Sequence, residues 1–163
     1  MRLHLGCGNK RWPGFLNVDR NADAGMGAPD VTADIQKLDF AVSGSVSEIH
    51  AIHILEHLHR MDADDAVTEW FRVLERGGKL VIEVPCLDKI AARIVAGEKN
   101  IRLTTLGLFG DPRDRKSDMM HQWCYSVAEL KEMLVGIGFA DVQAKEPVFH
   151  IAARDMRIEA RKP

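Results

Sequence analysis

The sequence predicts an α/β fold with a doubly wound, mostly parallel sheet of seven strands. Four short apolar runs follow one another in the first 54 residues, and each ends in glycine or a polar residue. A strand, a helix and a further strand then alternate up to residue 85, which is typical of a right-handed parallel crossover. Two further short runs, over residues 139–145 and 154–161, predict an antiparallel pair of strands at the C-terminal end of the sequence.

The first apolar run, residues 2–5, breaks directly into Gly6-Cys7-Gly8. A strand that ends in a glycine turn exposes backbone N–H groups at the carboxyl edge of a sheet, where a ligand can approach without meeting a Cβ. We therefore expect a small polar ligand to bind at this turn.

The next three runs also end in polar side chains. The second and third runs end at Asp19 and Asp34, and the fourth, residues 46–54, ends at His53. In a parallel sheet these ends lie at one edge, and an acid on the neighbouring strand can accept hydrogen bonds from a ribose diol. The pattern therefore predicts a shared site for the turn and the acids.

The first connection in this sheet is unusually short. Residues 9–14 are too few for the usual crossover helix, since a parallel connection normally takes a dozen or more residues. One face of the sheet is therefore expected to be thinly covered there. Residues 20–28, which hold two glycines, are predicted to form a loop.

Helical spacing of apolar residues predicts a helix that begins at an N-cap, Asp62, and ends at Gly77-Gly78. Residues 79–85, which are largely apolar and include three β-branched side chains, predict a strand that is buried on both faces. Residues 88–96 predict a second helix.

Periodicity is lost between residues 98 and 122, which predicts a long surface segment. The capping box at residues 126–129 then predicts a helix that ends near Gly138. Strands are predicted over residues 139–145 and 154–161, and the last of them alternates strictly between apolar and charged residues.

Composition limits the choice of partner and compartment. The chain of 163 residues can bury a sizeable core, so we expect a single domain over residues 1–163. A net charge of -2 argues against nucleic acid and against a membrane surface as partners. Three cysteines without C-x-x-C spacing indicate neither a disulfide framework nor a thiolate metal site, which fits a cytoplasmic protein.

The order of elements and the residues at their ends resemble the class I S-adenosylmethionine-dependent methyltransferases, in particular small bacterial and phage members. The segments that carry the resemblance are Leu3–Gly8, Pro13–Asp19, Ala33–Ile35, His53–Leu58, Arg72–Leu80, Val84–Pro85 and Gly138–Phe139. The resemblance implies a Rossmann-like methyltransferase fold with an antiparallel C-terminal strand, and S-adenosyl-L-methionine as the cofactor. The N-terminal helices usual in the family are expected to be lacking, because the sequence starts at the first strand.

The resemblance also assigns the cofactor-binding residues. Gly6-Cys7-Gly8 would contact the methionine part of the cofactor through its backbone, and Asp19 would accept hydrogen bonds from the ribose. Asp34 and Ile35 would hold the adenine, and His53 would line the floor near the sulfonium.

For the acceptor, the resemblance implies a small molecule or a glycan that is methylated by in-line displacement. His121 and Tyr125 are the predicted catalytic residues, for orienting the acceptor or removing its proton. Residues 98–122 are predicted to act as a lid or acceptor-binding insert. A homodimer, or a partner chain, is the other candidate for covering the thin face.

Three alternatives remain open. The segment His53-Ile54-Leu55-Glu56-His57 matches the H-x-x-E-H pattern of metal-dependent hydrolases. That pattern needs both histidines on one helix face, whereas residues 49–54 predict a strand, so no resident metal is predicted. A nicotinamide-dependent oxidoreductase would need a third glycine where Arg11 stands. A non-catalytic, nucleoside-binding relative would have the same fold as an active methyltransferase and would differ from it only in lacking turnover.

Overall fold

The computed structural model describes residues 1–21, 27–98, 101–113 and 119–163. The strands are β1 (Arg2–Leu5), β2 (Leu16–Asp19), β3 (Val31–Thr32), β4 (Val46–Ile52), β5 (Leu74–Pro85), β6 (Ala140–Lys145) and β7 (Asp155–Arg161). The helices are α1 (Arg60–Val73), α2 (Leu87–Val95), α3 (Ile101–Phe109) and α4 (Val127–Ile137), and Leu55–His57 form a 3-10 turn. Among the residues described, no helix is both long enough and apolar enough to cross a bilayer.

The strands form one sheet in the order β3-β2-β1-β4-β5-β7-β6. Strands β1 to β5 run parallel to one another, whereas β7 is antiparallel to both β5 and β6. The prediction of a mostly parallel seven-stranded sheet with an antiparallel C-terminal strand is confirmed. Because β1 to β5 share a direction, their carboxyl ends lie at one edge of the sheet.

One face of the sheet is apolar. Alternate residues of a strand share a face, so Leu3, Ile49 and Leu80 in neighbouring strands point to the same side, and all three are fully buried. Trp70 of α1 and Leu134 of α4 belong to the same core. These two helices therefore cover the apolar face.

The opposite face between β5 and β7 is charged. Glu83 is fully buried, and its carboxylate accepts hydrogen bonds from Arg157 Nη1 at 3.0 Å and from the backbone N–H groups of residues 148–149. Arg157 also pairs with Glu159, which lies 3.1 Å from Lys79 Nζ. A buried carboxylate is tolerated only when such partners satisfy it, so side-chain ion pairs close this face of the sheet.

An aromatic cluster covers the same face near the short first connection. The Trp12 ring stacks on His4 with 4.0 Å between ring centroids and lies 4.5 Å from Phe149. Phe15 and His50 contact the Trp12 ring edge-on. The thin cover expected from the short connection is thus a layer of side chains.

The bounds of α1 differ from those predicted. The helix begins after His59, whose Nδ1 accepts from a backbone N–H two residues on, rather than at Asp62. It ends at Val73, before the predicted stop. Gly77 instead lies inside β5 at a φ of +77°, where its N–H donates to the carbonyl of Lys162. A glycine pair that indicated a helix end therefore marks a bend in a strand.

The bounds of α4 agree with the sequence. Ser126 Oγ accepts from the backbone N–H of Glu129 at 3.1 Å, as the capping box predicts. Gly138 ends the helix in the left-handed region at a φ of +117°.

The segment over residues 98–122 contains α3, which the sequence analysis did not predict. Gly107 in this helix lies against α2 and the loop before β7. A Cβ at Gly107 would lie 2.7 Å from Ile90 Cδ1 and 2.9 Å from Arg154 Cδ. The glycine therefore permits close packing of α3 against both neighbours.

Candidate functional site

The turn after β1 depends on two glycines in the left-handed region. Gly6 has a φ of +64° and Gly8 a φ of +51°, conformations that other residues rarely adopt. A Cβ on Gly6 would lie 2.4 Å from Ile54 Cγ1, whereas a Cβ on Gly8 would meet nothing within 4 Å. Gly6 therefore packs against the protein, and Gly8 borders open space.

Asp19 joins the end of β2 to this turn. One carboxylate oxygen accepts from the backbone N–H of Gly8 at 2.8 Å, and the other accepts from that of Asn21 at 2.9 Å. The side chain is almost completely buried. These contacts hold the carboxylate against the glycine turn, as expected for neighbouring strand ends.

The segment after β3 is fixed in a similar way. Asp34 Oδ1 accepts from the backbone N–H of Gln36 at 2.9 Å, and the carbonyl of Ile35 accepts from Trp70 Nε1 at 2.8 Å. A core tryptophan therefore anchors the position at which Ile35 faces the site.

Six of the seven predicted cofactor-binding residues line one cavity of about 170 Å³, which we call the strand-end cavity: Gly6, Gly8, Asp19, Asp34, Ile35 and His53. Cys7, the seventh, is buried behind the turn. Burial, followed by the charge of Asp19, raises the pKa of its thiol to about 11, so Cys7 is not a thiolate nucleophile at neutral pH.

His53 occupies a strained position at the floor of this cavity. Its φ of +52° lies in the left-handed region, which is uncommon for a residue with a side chain. Its Nδ1 lies 2.9 Å from Glu56 Oε1 and its Nε2 lies 3.4 Å from Asp155 Oδ2. Burial alone would lower the pKa of His53, but Asp155 and Glu56 outweigh it and raise the pKa to about 9. His53 is therefore an imidazolium between two carboxylates.

Both carboxylates remain ionised in this setting. Burial raises the pKa of Glu56, but contact with His53 and the nearby imidazoles brings it below its usual value. Burial likewise opposes ionisation of Asp155, yet His53 and Arg154 lower its pKa to about 2. The positive charges of His53 and Arg154 therefore balance the negative charges of Glu56 and Asp155, and the cluster has no net positive charge.

A second space, of about 870 Å³, adjoins the strand-end cavity, and we call it the basic groove. His53, His57 and Met119 line both spaces. The other basic side chains along the groove are Lys10, Arg113, His121, His150 and Arg154. Most of these residues were not predicted as site residues, because no local pattern connects segments so far apart in the sequence.

His121 lies in the basic groove, as its predicted role requires. Its Nδ1 and the carbonyl of Gly107 are 2.9 Å apart, so the ring donates there and keeps its lone pair on Nε2. The backbone N–H of Gln122 donates to the carbonyl of Glu56 at 2.7 Å and fixes this segment. Burial lowers the pKa of His121, so the imidazole is neutral at pH 7.

Tyr125 lies apart from both spaces. Its side chain is fully buried in the core, and its backbone bridges to Cys86. Burial raises the pKa of the phenol well above its usual value. This position gives no support to the predicted catalytic role of Tyr125.

The hydrolase alternative requires a geometry that this chain does not form. His53 follows the end of β4, and His57 ends the separate 3-10 turn. His53 directs its two nitrogens toward Glu56 and Asp155. The two histidines of the H-x-x-E-H pattern therefore do not share one face of a continuous helix.

A known protein family matches the part of the chain that forms most of the strand-end cavity. A family described as a methyltransferase domain matches residues 3–82, from β1 into β5. This region includes the glycine turn and both acids. No curated protein matches the chain.

Solved structures show that the similarity of fold extends over 99% of the chain. A SAM-dependent methyltransferase from Archaeoglobus fulgidus is 16% identical with a TM-score of 0.68, over 85% of that protein. A possible histamine N-methyltransferase from Thermotoga maritima is 14% identical with a TM-score of 0.69, over 82% of its length. The 1,6-didemethyltoxoflavin-N1-methyltransferase of Burkholderia thailandensis, solved with S-adenosylhomocysteine, is 17% identical with a TM-score of 0.63, over 70% of that chain.

Proposed function

Because this chain belongs to the class I S-adenosylmethionine-dependent methyltransferases, we propose that it methylates a hydroxyl group of an acidic small molecule or acidic glycan. The observation that carries this proposal is the junction at which His53, His57 and Met119 line both spaces. A methyl group presented from the strand-end cavity would meet an acceptor held in the basic groove.

S-adenosyl-L-methionine is the methyl donor, and the residues of the strand-end cavity fit it. Asp19 and Asp34 offer carboxylate oxygens to hydroxyl and amino groups, while Ile35 and Leu58 offer apolar walls to a ring. Gly8 leaves room beside the turn for close approach to the backbone. The bound donor supplies a methyl group on a positively charged sulfur, which is a good leaving group.

The charges of the basic groove favour an acidic acceptor. Arg113 is paired with Asp111, and Arg154 with Asp155. Lys10 also lines the groove and forms no ion pair with any residue in the described ranges. An ammonium group in this position favours a carboxylate or phosphate on the acceptor.

In the methyl-transfer step, the main task of the protein is to position the donor and the acceptor. With the donor bound, the acceptor oxygen would attack the methyl carbon opposite the sulfur, so the C–O bond would form as the C–S bond breaks and its electron pair would be left on sulfur. The hydroxyl proton passes to Nε2 of His121, which is neutral and lines the groove. Alignment of the reacting atoms and exclusion of water supply most of the acceleration. Residues 98–122 contribute His121 and Met119 to this arrangement, consistent with the proposed acceptor-binding insert.

The test uses S-adenosylmethionine labelled in its methyl group and three acceptor pools: acidic small molecules, acidic oligosaccharides, and neutral compounds. We expect label in one of the two acidic pools, as a base-stable methyl ether. Equal labelling of the neutral pool would contradict the acidic acceptor. Binding of S-adenosylhomocysteine without any methyl transfer would instead favour the non-catalytic, nucleoside-binding alternative.

A further inference from the structure

Three side chains of metal-ligating type lie close together: His57 lines both spaces, His121 lines the basic groove, and Glu56 is buried next to them. Glu56 and His57 lie on the 3-10 turn, and His121 lies on the segment after α3. One ligand atom from each lies within 4.8 Å of the other two. The hydrogen bond from Gln122 to the carbonyl of Glu56 ties the two segments together.

Glu56 has unused capacity to bind a cation. Its side chain is fully buried, yet neither carboxylate oxygen has an aligned hydrogen bond with any residue that the structure describes. His53 Nδ1 lies 2.9 Å from one of these oxygens, an ion contact with poor hydrogen-bond direction. Buried carboxylates are stable only when their charge and lone pairs are satisfied, so a further positive partner would stabilise this group.

The two imidazoles are held in the form that binds metal. His57 Nδ1 lies 3.3 Å from the carbonyl of Met120, and His121 Nδ1 lies 2.9 Å from that of Gly107. A carbonyl only accepts, so each ring donates from Nδ1, which leaves Nε2 as the atom that can face a metal ion. Backbone carbonyls of this kind are the usual outer partners that orient histidine ligands.

We propose that Glu56, His57 and His121 bind a divalent transition-metal ion such as Zn²⁺. Two imidazoles and one carboxylate favour such an ion over Mg²⁺ or Ca²⁺, which prefer oxygen ligands alone. Zinc bonds of about 2.0–2.1 Å place neighbouring ligand atoms roughly 3–4 Å apart, so small side-chain rotations would close the present spacing. Three protein ligands leave at least one position available on the side of the groove.

The binding of this ion stands independently, whereas its role in catalysis rests on the proposed function. An ion at the junction would hold an acceptor that carries a hydroxyl beside a carboxylate or phosphate, because such a pair chelates. A coordinated hydroxyl would then lose its proton to water. The lone pair of His121 can serve the ion or the proton but not both, so metal would replace its role as base.

The experiment titrates chelator-treated protein with Zn²⁺ in a calorimeter, without cofactor or acceptor. We expect one ion per chain. Loss of a metal ligand reduces metal affinity more than loss of a residue that only orients a ligand. Glu56→Gln and His121→Gln should therefore each weaken Zn²⁺ binding by about 100-fold or more. Co²⁺ in place of Zn²⁺ should give visible ligand-field bands without a thiolate charge-transfer band.

The matched control is His59→Gln, which alters an exposed histidine two residues from His57. It should bind Zn²⁺ as the unaltered protein does. Melting temperature and S-adenosylhomocysteine binding of every variant separate a lost metal site from a lost fold. The proposal is overturned if the unaltered protein does not bind Zn²⁺, if both ligand variants bind it equally well, or if the cobalt spectrum shows thiolate. None of these outcomes depends on methyl transfer.

Discussion

The strand-end cavity and the basic groove meet at His53 but are built differently. The cavity is lined mainly by segments that directly follow β1 to β4, and some of its polar groups bond to one another, as Gly8 does to Asp19. The groove collects side chains from distant segments, including Lys10, His121 and Arg154. Recognition in the cavity therefore depends on backbone shape at strand ends, whereas recognition in the groove depends on charge brought together by tertiary packing.

The largest effect is expected when each glycine of the turn after β1 is replaced by alanine, which tests whether backbone shape determines the strand-end cavity. Gly6→Ala should cost roughly 2–5 kcal/mol in the free energy of unfolding, from left-handed strain and from the clash with Ile54. Gly8→Ala should cost only about 1–2 kcal/mol, from strain alone. Urea denaturation measures both values. Equal losses would show that Gly6 is not packed as described.

The second test concerns the acid that bonds to the turn. Asp19→Ala should weaken binding of S-adenosylhomocysteine by about 100-fold, because contacts with a charged acceptor contribute about 1.5–3 kcal/mol each. Calorimetry measures the affinity, and Asp62→Ala, at an exposed position on α1, is the control. If the Asp19 variant folds and binds the nucleoside normally, the assignment of the ribose contact is wrong.

The third test addresses the shared residue, His53. Its pKa in the folded protein, about 9, is above the usual 6.5, so its stabilising contribution is complete below pH 6.5 and is lost as the pH rises through 9. The free energy of unfolding should therefore fall by about 3 kcal/mol across this range. His53→Gln should remove that fall. An identical pH profile for the variant would mean that His53 is not charged between Glu56 and Asp155.

The smallest effect is expected at Lys10, which lines the basic groove. Lys10→Gln should raise KM for an acidic acceptor by about tenfold and leave kcat nearly unchanged, because the lost contact binds substrate and transition state equally. Steady-state kinetics with the identified acceptor measures this change. Arg76→Gln, at an exposed position near the start of β5, should leave both parameters unaltered. A fall in kcat alone would place Lys10 in the chemical step.

The difference between the two spaces also explains what the sequence could predict. The mostly parallel seven-stranded sheet, the antiparallel C-terminal strand pair and the convergence of Asp19, Asp34 and the glycine turn follow from local patterns, because apolar runs and their end residues are adjacent in the chain. The predicted bounds of α4 agree for the same reason. The stop assigned to Gly77 was wrong because a glycine with positive φ serves a strand bend as well as a helix end.

The basic groove could not be predicted, because its composition depends on packing between distant elements. Tyr125 is four residues from His121, yet its bridge to Cys86 directs it into the core. The burial of Glu56 is equally invisible in the sequence, where the residue belongs to a motif typical of a helix. Helix α3 was not predicted either, because Gly107 within it packs against Ile90 and Arg154, which are distant in the sequence.

The three indoles of this chain lie in three separate settings. Trp70 is fully buried in the core, and Trp12 stacks on His4 on the opposite side of the sheet. Trp123, which lies two residues after His121, is partly exposed and donates a hydrogen bond to Glu129. Single-tryptophan variants would therefore give one polypeptide three independent optical reporters. Fluorescence from each would follow core formation, closure of the sheet surface and arrival of a substrate as distinguishable events in time.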